Sequence, residues 1–429
     1  MSLLLAHKRL VFIVSILVYC LSLYYAYSSV AVKNFHYFGY GDGAPSFVDL
    51  VSIIIYGLIP AIIIPLNNAR PSSYIVMIIY LIIYLPSLII INDSGITLYI
   101  EKRALSFILF LSFIINVIAT RIPLLNVSKI RLNLSLNVYD LVSAVAVLLF
   151  FVVVIYLSQN FSIIGLSDIY EKRDALHDIE LGKAAYLPVW LSNFFAPILI
   201  ARAIIKKRRL LLIFGFVIYL FLFFTIGAKL YLLAPGYFVL SYLYLKYLPT
   251  KFPVLPILFS GMLLFPIIIH LSQLQDLAFL YEGIISMRVF LVQGLSPLIY
   301  SDYFFNHEFT YFSHVSVINE FVTYPYNQKI PLVLDDYYGL GNFNAPYYVS
   351  DGLASAGYIG MLSMALVFSS FFYIFDCLAK GHDGKMVILS ISVFVVSLSN
   401  SSLPTSITTF GGAFFVILFL FSSHERTKI

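Results

Sequence analysis

Residues 141–157 have the sequence LVSAVAVLLFFVVVIYL, a stretch without one charged side chain. A helix needs about 20 apolar residues to cross the ~30 Å hydrocarbon core of a bilayer. Mainly apolar runs also occur at residues 10–27, 48–66 and 74–91. The 429-residue chain is 61% hydrophobic and 11% charged, whereas soluble domains usually carry about 25% charged residues. The composition therefore excludes a soluble globular protein.

Outward from this stretch, the same pattern predicts twelve membrane-spanning segments. Polar backbone groups in lipid must be satisfied within the segment that carries them, so each span is a helix. The sequence predicts an all-α fold, a polytopic membrane helix bundle that forms a single domain over residues 1–429. The spans are expected at residues 10–31, 48–66, 74–91, 105–120, 140–158, 185–205, 210–226, 229–248, 253–272, 359–378, 386–399 and 407–423.

Charge sets the expected orientation of the bundle. If both termini are cytoplasmic, 17 of the 26 basic residues fall in cytoplasmic links, among them the run at 206–209. This asymmetry follows the positive-inside rule. The net charge of +5 then indicates anchoring at the inner face of a membrane, and it gives no reason to expect a nucleic-acid partner.

Two connections are longer than a simple turn, at residues 159–186 and 273–358, and both are expected outside the cytoplasm. The second carries charged, amide and histidine side chains among many aromatic residues. Loops held by a rigid scaffold commonly carry chemistry, so we expect the active segment here. Within it, apolar residues at helical spacing predict a helix over 277–291 that lies in the membrane interface, with Arg288 on its apolar face.

Three cations stand out in and beside these connections. Guanidinium groups stay charged and can bind two phosphate oxygens at once, which favours Arg173 and Arg288 as phosphate ligands. Lys229 lies at the outer turn between two spans. The alternatives are a local ion pair for Arg173 and extension of the side chain to the lipid headgroups for Arg288 and Lys229.

His307 and His314, with Asp302, are candidates for acid–base chemistry, because imidazole titrates near neutrality. Asp351 could bind a cation or the hydroxyl groups of a sugar. The two histidines could share a helix face, but no third ligand follows at zinc-site spacing, so we expect no metal. The dense aromatic residues, Tyr300 among them, suit the stacking of sugar rings, although an interfacial aromatic belt is the alternative.

Several short motifs, taken in order, resemble the O-antigen polymerase family, specifically the Wzy-type oligosaccharide repeat unit polymerases. The first part is DIYEKR at 168–173, YLPVW at 186–190, the basic run at 206–209 and TIGAK at 225–229. The second part is RVF at 288–290, YSDYFF at 300–305, TYFSH at 310–314, NFN at 342–344, DG at 351–352 and GYIG at 357–360. The resemblance covers about residues 159–380, and Pro346 departs from the expected pattern.

The resemblance implies a type-C glycosyltransferase of the bacterial inner membrane that uses no cofactor. Its partners would be undecaprenyl-diphosphate-linked oligosaccharides, membrane lipids and a possible chain-length regulator, and its reaction would take place at the periplasmic face. Residues 273–358 would form the catalytic loop and 159–186 the first periplasmic loop. The implied roles are diphosphate binding for Arg173, Lys229 and Arg288, general base for His314 with Asp302 and Asp351 in reserve, and sugar binding for Asn342, Asn344 and Tyr300.

Three other functions remain open on the sequence. Twelve spans with both ends inside also fit a flippase of lipid-linked oligosaccharides or a solute carrier. Transporters, however, place polar residues at the membrane midplane, whereas the predicted spans are nearly bare of charge. An O-antigen ligase would share the architecture and the donor. A membrane assembly subunit would need no chemistry at all.

Overall fold

The computed structural model describes residues 2–66, 69–96, 98, 101–127, 137–163, 182–340, 343 and 347–422. In these ranges the regular secondary structure is helical throughout, which confirms the predicted all-α class. Local signals set the helix ends. Ser46 accepts a hydrogen bond from the Asp49 amide at the start of helix Phe47–Ile63, and Gly227, with φ of 72°, ends helix Arg209–Ile226.

Nine helices within the described ranges are long and apolar enough to cross a membrane. They are Ala6–Asn34, Pro71–Ile91, Lys102–Ala119, Val138–Leu157, Tyr186–Ile205, Arg209–Ile226, Val254–Leu271, Gln275–Asn306 and Tyr348–Ala379. Eight of them coincide with predicted spans, and the chain is a multi-pass helical bundle. The predicted count of twelve is not confirmed. The segments expected at 48–66 and 407–423 contain the shorter apolar helices Phe47–Ile63 and Gly412–Phe421. The segment at 229–248 forms helix Lys229–Tyr247, which is not among the nine, and the one at 386–399 is divided between helices Gly384–Ser390 and Ser392–Ser399.

Helix Pro71–Ile91 forms the centre of the bundle, since 94% of its most apolar stretch is buried by other helices. It contains a π-helical turn at Tyr80–Tyr84. The two helices next in burial also contain π-helical turns, at Leu191–Phe195 and Glu282–Leu291. Such turns break the regular hydrogen-bond ladder and occur often at functional sites. The irregular backbone of this protein is therefore concentrated in its interior.

The structure differs from the expected loop at residues 273–358 at both of its ends. Residues Gln275–Asn306 form a mainly buried helical segment rather than a short helix in the membrane interface. Its charged residues Asp276, Glu282, Arg288 and Asp302 are far enough apart to leave apolar stretches between them. At the other end, Tyr348 begins the helix that runs to Ala379.

The segment Tyr348–Ala379 folds back on itself. The backbone leaves helical geometry at Ala356, with φ of −158°, and at Gly357, with φ of 57°. The rings of Tyr348 and Phe368 lie 4.9 Å apart. A straight helix would separate residues 20 positions apart by about 30 Å. Residues 348–355, here called the fold-back helix, therefore run antiparallel to residues 358–379 and begin deep in the bundle.

Two glycines permit this close approach. A Cβ atom on Gly360 would lie 2.0 Å from the Gly352 carbonyl oxygen, and one on Gly352 would lie 2.5 Å from the Gly360 carbonyl oxygen. Since real Cβ atoms do not come so near, any larger residue would force the two helices apart. The fold-back helix can thus pack this closely because Gly352 and Gly360 have no side chains.

We expect Gly360→Ala to destabilise the protein by about 2 kcal/mol or more, because the added methyl group overpacks this contact. Thermal unfolding of the purified protein in detergent measures the change. Gly261→Ala is the matched control, since a Cβ there meets nothing within 4 Å and alanine is the better helix former. Equal melting temperatures for Gly360→Ala and the native protein would contradict the described packing.

Candidate functional site

Four chain segments meet around the fold-back helix. They are the second half of helix Gln275–Asn306, the turn at 310–315, the fold-back helix itself, and the break between helices Ser392–Ser399 and Leu403–Thr408. Main-chain hydrogen bonds join two of them directly: the amide of Thr310 donates to Ala354 O at 2.8 Å, and that of Tyr311 to Ser355 O at 3.0 Å. The turn is therefore attached to the outer end of the fold-back helix.

Asp351 lies at the centre of this arrangement and is almost fully buried. Its Oδ2 atom accepts a hydrogen bond of 3.0 Å from the backbone amide of Leu403, the first residue of helix Leu403–Thr408. Its Oδ1 atom lies 3.7 Å from Nε2 of His314. One carboxylate thus connects the fold-back helix to the broken helix and also faces the imidazole. A buried acid within a membrane bundle is a functional-site candidate by default.

His314 is held from its other side. Its Nδ1 atom is 3.0 Å from the hydroxyl of Thr310, and that hydroxyl donates to Ala354 O at 3.2 Å. The hydroxyl then accepts from Nδ1–H, which leaves the lone pair of Nε2 directed at Asp351. Burial lowers the pKa of His314 to about 4, so the imidazole is neutral at pH 7. A neutral imidazole with a free lone pair is the form that can accept a proton.

The distance of 3.7 Å between His314 and Asp351 exceeds that of a direct hydrogen bond. A substrate hydroxyl beside the pair could donate its single proton to Nε2, with Oδ1 of Asp351 near enough to stabilise the positive charge that then forms on the imidazole. The His314 side chain keeps 12% of its surface exposed, but Nε2 itself is buried and has no hydrogen-bond partner among the described residues. The pair therefore has the chemistry to deprotonate a hydroxyl group, once a local movement of the turn opens Nε2 to it.

Further polar groups line the neighbouring helix. Tyr300 interacts electrostatically with Asp351, and its buried hydroxyl has no hydrogen-bond partner among the described residues. One turn before Pro297, the amide nitrogen of Gln293 donates to Asn400 at the helix break, and its Oε1 atom is buried without a partner. Leaving such a group unsatisfied costs about 1–3 kcal/mol. These atoms suit the hydroxyl groups of a bound substrate.

Ser296 on helix Gln275–Asn306 and Ser350 on the fold-back helix have hydroxyl oxygens 2.6 Å apart, so this serine pair joins the two helices. Sequence reasoning missed these serines as well as Gln293, Thr310 and Asn400. The run SNSS at 399–402, followed by Pro404, lies where the predicted spans 386–399 and 407–423 leave a link, and its small polar residues were the available signal for polar contacts at this break. The interruption at Ile391, between helices Gly384–Ser390 and Ser392–Ser399, was not predicted.

Asp302 has a different environment from Asp351. It is buried, and its Oδ2 atom accepts a hydrogen bond of 2.5 Å from the hydroxyl of Tyr338 on helix Ile330–Tyr338. Burial and this bond raise the pKa of Tyr338. His307 stacks on Tyr303 with ring centroids 4.0 Å apart, and its Nδ1–H donates to the Tyr303 carbonyl at 2.8 Å. Asp302 therefore holds helix Ile330–Tyr338 in place.

Two of the expected phosphate ligands, Arg288 and Lys229, lie on different helices. Arg288 is exposed, and its Cζ atom is 6.0 Å from the ring centroid of Phe38. It precedes Tyr300 by twelve residues, which corresponds to roughly 18 Å along a helix. Lys229 begins helix Lys229–Tyr247 and is half-buried. Arg173, Asn342 and Asn344 lie outside the described residues.

Metal ligands are not grouped in the described part of the chain, where no three His, Cys, Asp or Glu side chains come together. Comparison with known proteins adds no family: no family model, curated protein or solved structure matches this chain. The function has to be argued from the site itself.

The pKa of His314 makes stability depend on pH. An unfolded histidine titrates near 6.5 and the folded one near 4, so the unfolded chain binds more protons between these values. The contribution of His314 to the free energy of unfolding is fully present above about pH 6.5. It is lost as the pH is lowered toward 4, which reduces that free energy by up to about 3 kcal/mol. We expect the melting temperature of the native protein to fall more steeply over this range than that of His314→Gln. Parallel curves would show that His314 is not buried as a neutral side chain.

Proposed function

We propose that this protein is a glycosyltransferase that polymerises oligosaccharide repeat units linked to undecaprenyl diphosphate. The reaction would take place at the periplasmic face of a bacterial inner membrane, with both termini of the chain in the cytoplasm. The observation that supports it best is the pairing of His314 with Asp351, two candidate catalytic residues 37 positions apart. Their side chains meet because the fold-back helix returns to the turn at 310–315.

In the proposed reaction, His314 Nε2 takes the proton of a sugar hydroxyl on the acceptor repeat unit. The hydroxyl oxygen then bonds to the anomeric carbon of the donor glycan, and the bond from that carbon to the lipid diphosphate breaks. Asp351 Oδ1 lies 3.7 Å from the same nitrogen, so its negative charge stabilises the imidazolium that forms, while Thr310 holds Nδ1. The leaving diphosphate carries away the bonding electron pair.

The departing diphosphate needs fixed positive charge. Arg288, Lys229 and Arg173 are proposed to hold the diphosphates of the donor and acceptor lipids, and cations already in place cost no reorganisation during the reaction. Arg288 lies roughly 18 Å along its helix from Tyr300, so it would hold the diphosphate of the acceptor lipid, which is one repeat unit away from the reacting hydroxyl. Tyr300 and Gln293, with unpaired buried polar atoms, would hold sugar hydroxyls between them.

A transporter of lipid-linked oligosaccharides is the second candidate, because two structural features favour it. Transporters commonly use discontinuous helices whose ends meet at a buried site. The fold-back at Ala356–Gly357 and the break at 400–402 are discontinuities of this kind, and polar groups line the interior between them. The absence of charge in the predicted spans therefore no longer argues against transport. A residue pair poised for proton transfer still favours the enzyme.

We expect His314→Gln and Asp351→Asn each to abolish long-chain surface polysaccharide and leave single capped repeats, because loss of the base slows transfer about 10²–10⁴-fold. Gel analysis of the polysaccharide from a deletion strain that carries each variant measures this. His36→Gln and Asp276→Asn, which change exposed residues of the same types, are the controls. Lipid-linked units that accumulate on the cytoplasmic side would instead identify a transporter.

Arg288→Ala should also remove the long-chain polymer, since the acceptor lipid would lose the guanidinium that binds its diphosphate. Arg288→Lys keeps the charge without the guanidinium fork, so a reduced polymer yield is expected. Arg103→Gln is the matched control for loss of an exposed arginine. Normal chain length in Arg288→Ala would exclude Arg288 from the mechanism.

A further inference from the structure

Two arginines converge on the carboxyl end of helix Phe47–Ile63. Nη1 of Arg9 donates to Ala61 O and Ile64 O, both at 2.8 Å. Arg121 donates to Ile63 O from Nε at 2.7 Å, and its Nη2 contacts the same oxygen. The last carbonyls of a helix lack intrahelical donors and carry partial negative charge, so cations are favourable there. These bonds fix the two side chains side by side.

The two guanidinium groups are close enough for their like charges to repel each other. Among the described residues, no carboxylate lies within ion-pair distance of either group. Each guanidinium has five N–H donors, and the bonds to the helix leave Nε and Nη2 of Arg9 and Nη1 of Arg121 available. A bound anion would relieve the repulsion and use these donors.

The surface around the pair is apolar. Leu10 is 59% exposed, Ile62 53% and Ile122 44%, and each is adjacent in sequence to a residue of the arginine site. Leu10 lies on the apolar helix Ala6–Asn34 and Ile62 on the shorter apolar helix Phe47–Ile63. Ile122 follows the end of helix Lys102–Ala119. A free phosphate would gain nothing from them, whereas a lipid would place its acyl chains there.

We propose that Arg9 and Arg121 form a binding site for the phosphate of an anionic membrane lipid. The phosphate would bridge the two guanidinium groups, in the fork geometry that arginine offers to such oxygens. The acyl chains would lie along Leu10 and Ile62. The site is independent of the proposed catalytic function. A third arginine lies beside it, since Nη1 of Arg70 donates to the carbonyls of Thr120 and Ile122, and its charge would add to the attraction of an anionic headgroup.

Native mass spectrometry of the purified full-length protein can test this. Phosphatidylglycerol is titrated against the native protein and the R9Q/R121Q variant, and phosphatidylcholine serves as the zwitterionic lipid. Each arginine near an anionic lipid surface strengthens binding about fivefold, so the double variant should bind phosphatidylglycerol about 25-fold more weakly. The R103Q variant, which loses an arginine paired with Asp49, should bind as the native protein does.

Unchanged affinity in R9Q/R121Q, or equal affinity of the native protein for phosphatidylcholine, would overturn the proposal. Displacement of the lipid by inorganic phosphate would identify a site for free anions instead. If the glutamine variant does not fold, R9K/R121K decides: it keeps the charge but loses the fork. Several-fold weaker binding would then support the site, and unchanged binding would contradict it.

Discussion

A backbone in lipid has no water to satisfy its polar groups, and this constraint governs every irregularity of the fold. The chain leaves helical geometry at Ala356–Gly357 and again at 400–402, where Gly357 and Ser401 are buried and Asn400 is exposed. Asp351 accepts the backbone hydrogen bond that the second break exposes, from the amide of Leu403. The same carboxylate would be too costly to bury without that bond. Fold and chemistry thus depend on one residue.

This arrangement explains how reactive groups can exist inside an apolar bundle. Thr310 bonds both the fold-back helix and His314, so the imidazole is oriented by the element that carries Asp351. A change in the packing of the fold-back helix would move both members of the pair together. The proposed acid–base pair is therefore preorganised by backbone packing, and few side-chain torsions would need to be fixed on binding of a substrate.

The sequence predicted the helical class and most of the long helices, and it selected His314, Asp351 and Tyr300, which the fold brings close together, because apolar runs and isolated ionisable residues are local signals. It did not predict the buried helix Gln275–Asn306, because four charged residues, Asp276, Glu282, Arg288 and Asp302, lower its local hydropathy. In the structure each of these side chains lies either at the surface or beside a polar partner. The fold-back was also missed. Its evidence, the contact of Gly352 with Gly360 and of Tyr348 with Phe368, lies between residues whose proximity no local pattern reveals.

The fold-back also affects how crossings are counted. By length, Tyr348–Ala379 resembles one very tilted span of 32 residues. Its first eight residues, however, travel in the direction opposite to the rest and end beside Thr310 and Tyr311. An excursion that enters and leaves at the same end contributes no net passage through the bundle. The connection at 307–340 and the turn at Ala356–Gly357 therefore share one side of the molecule, and only residues 358–379 carry the chain to the opposite side.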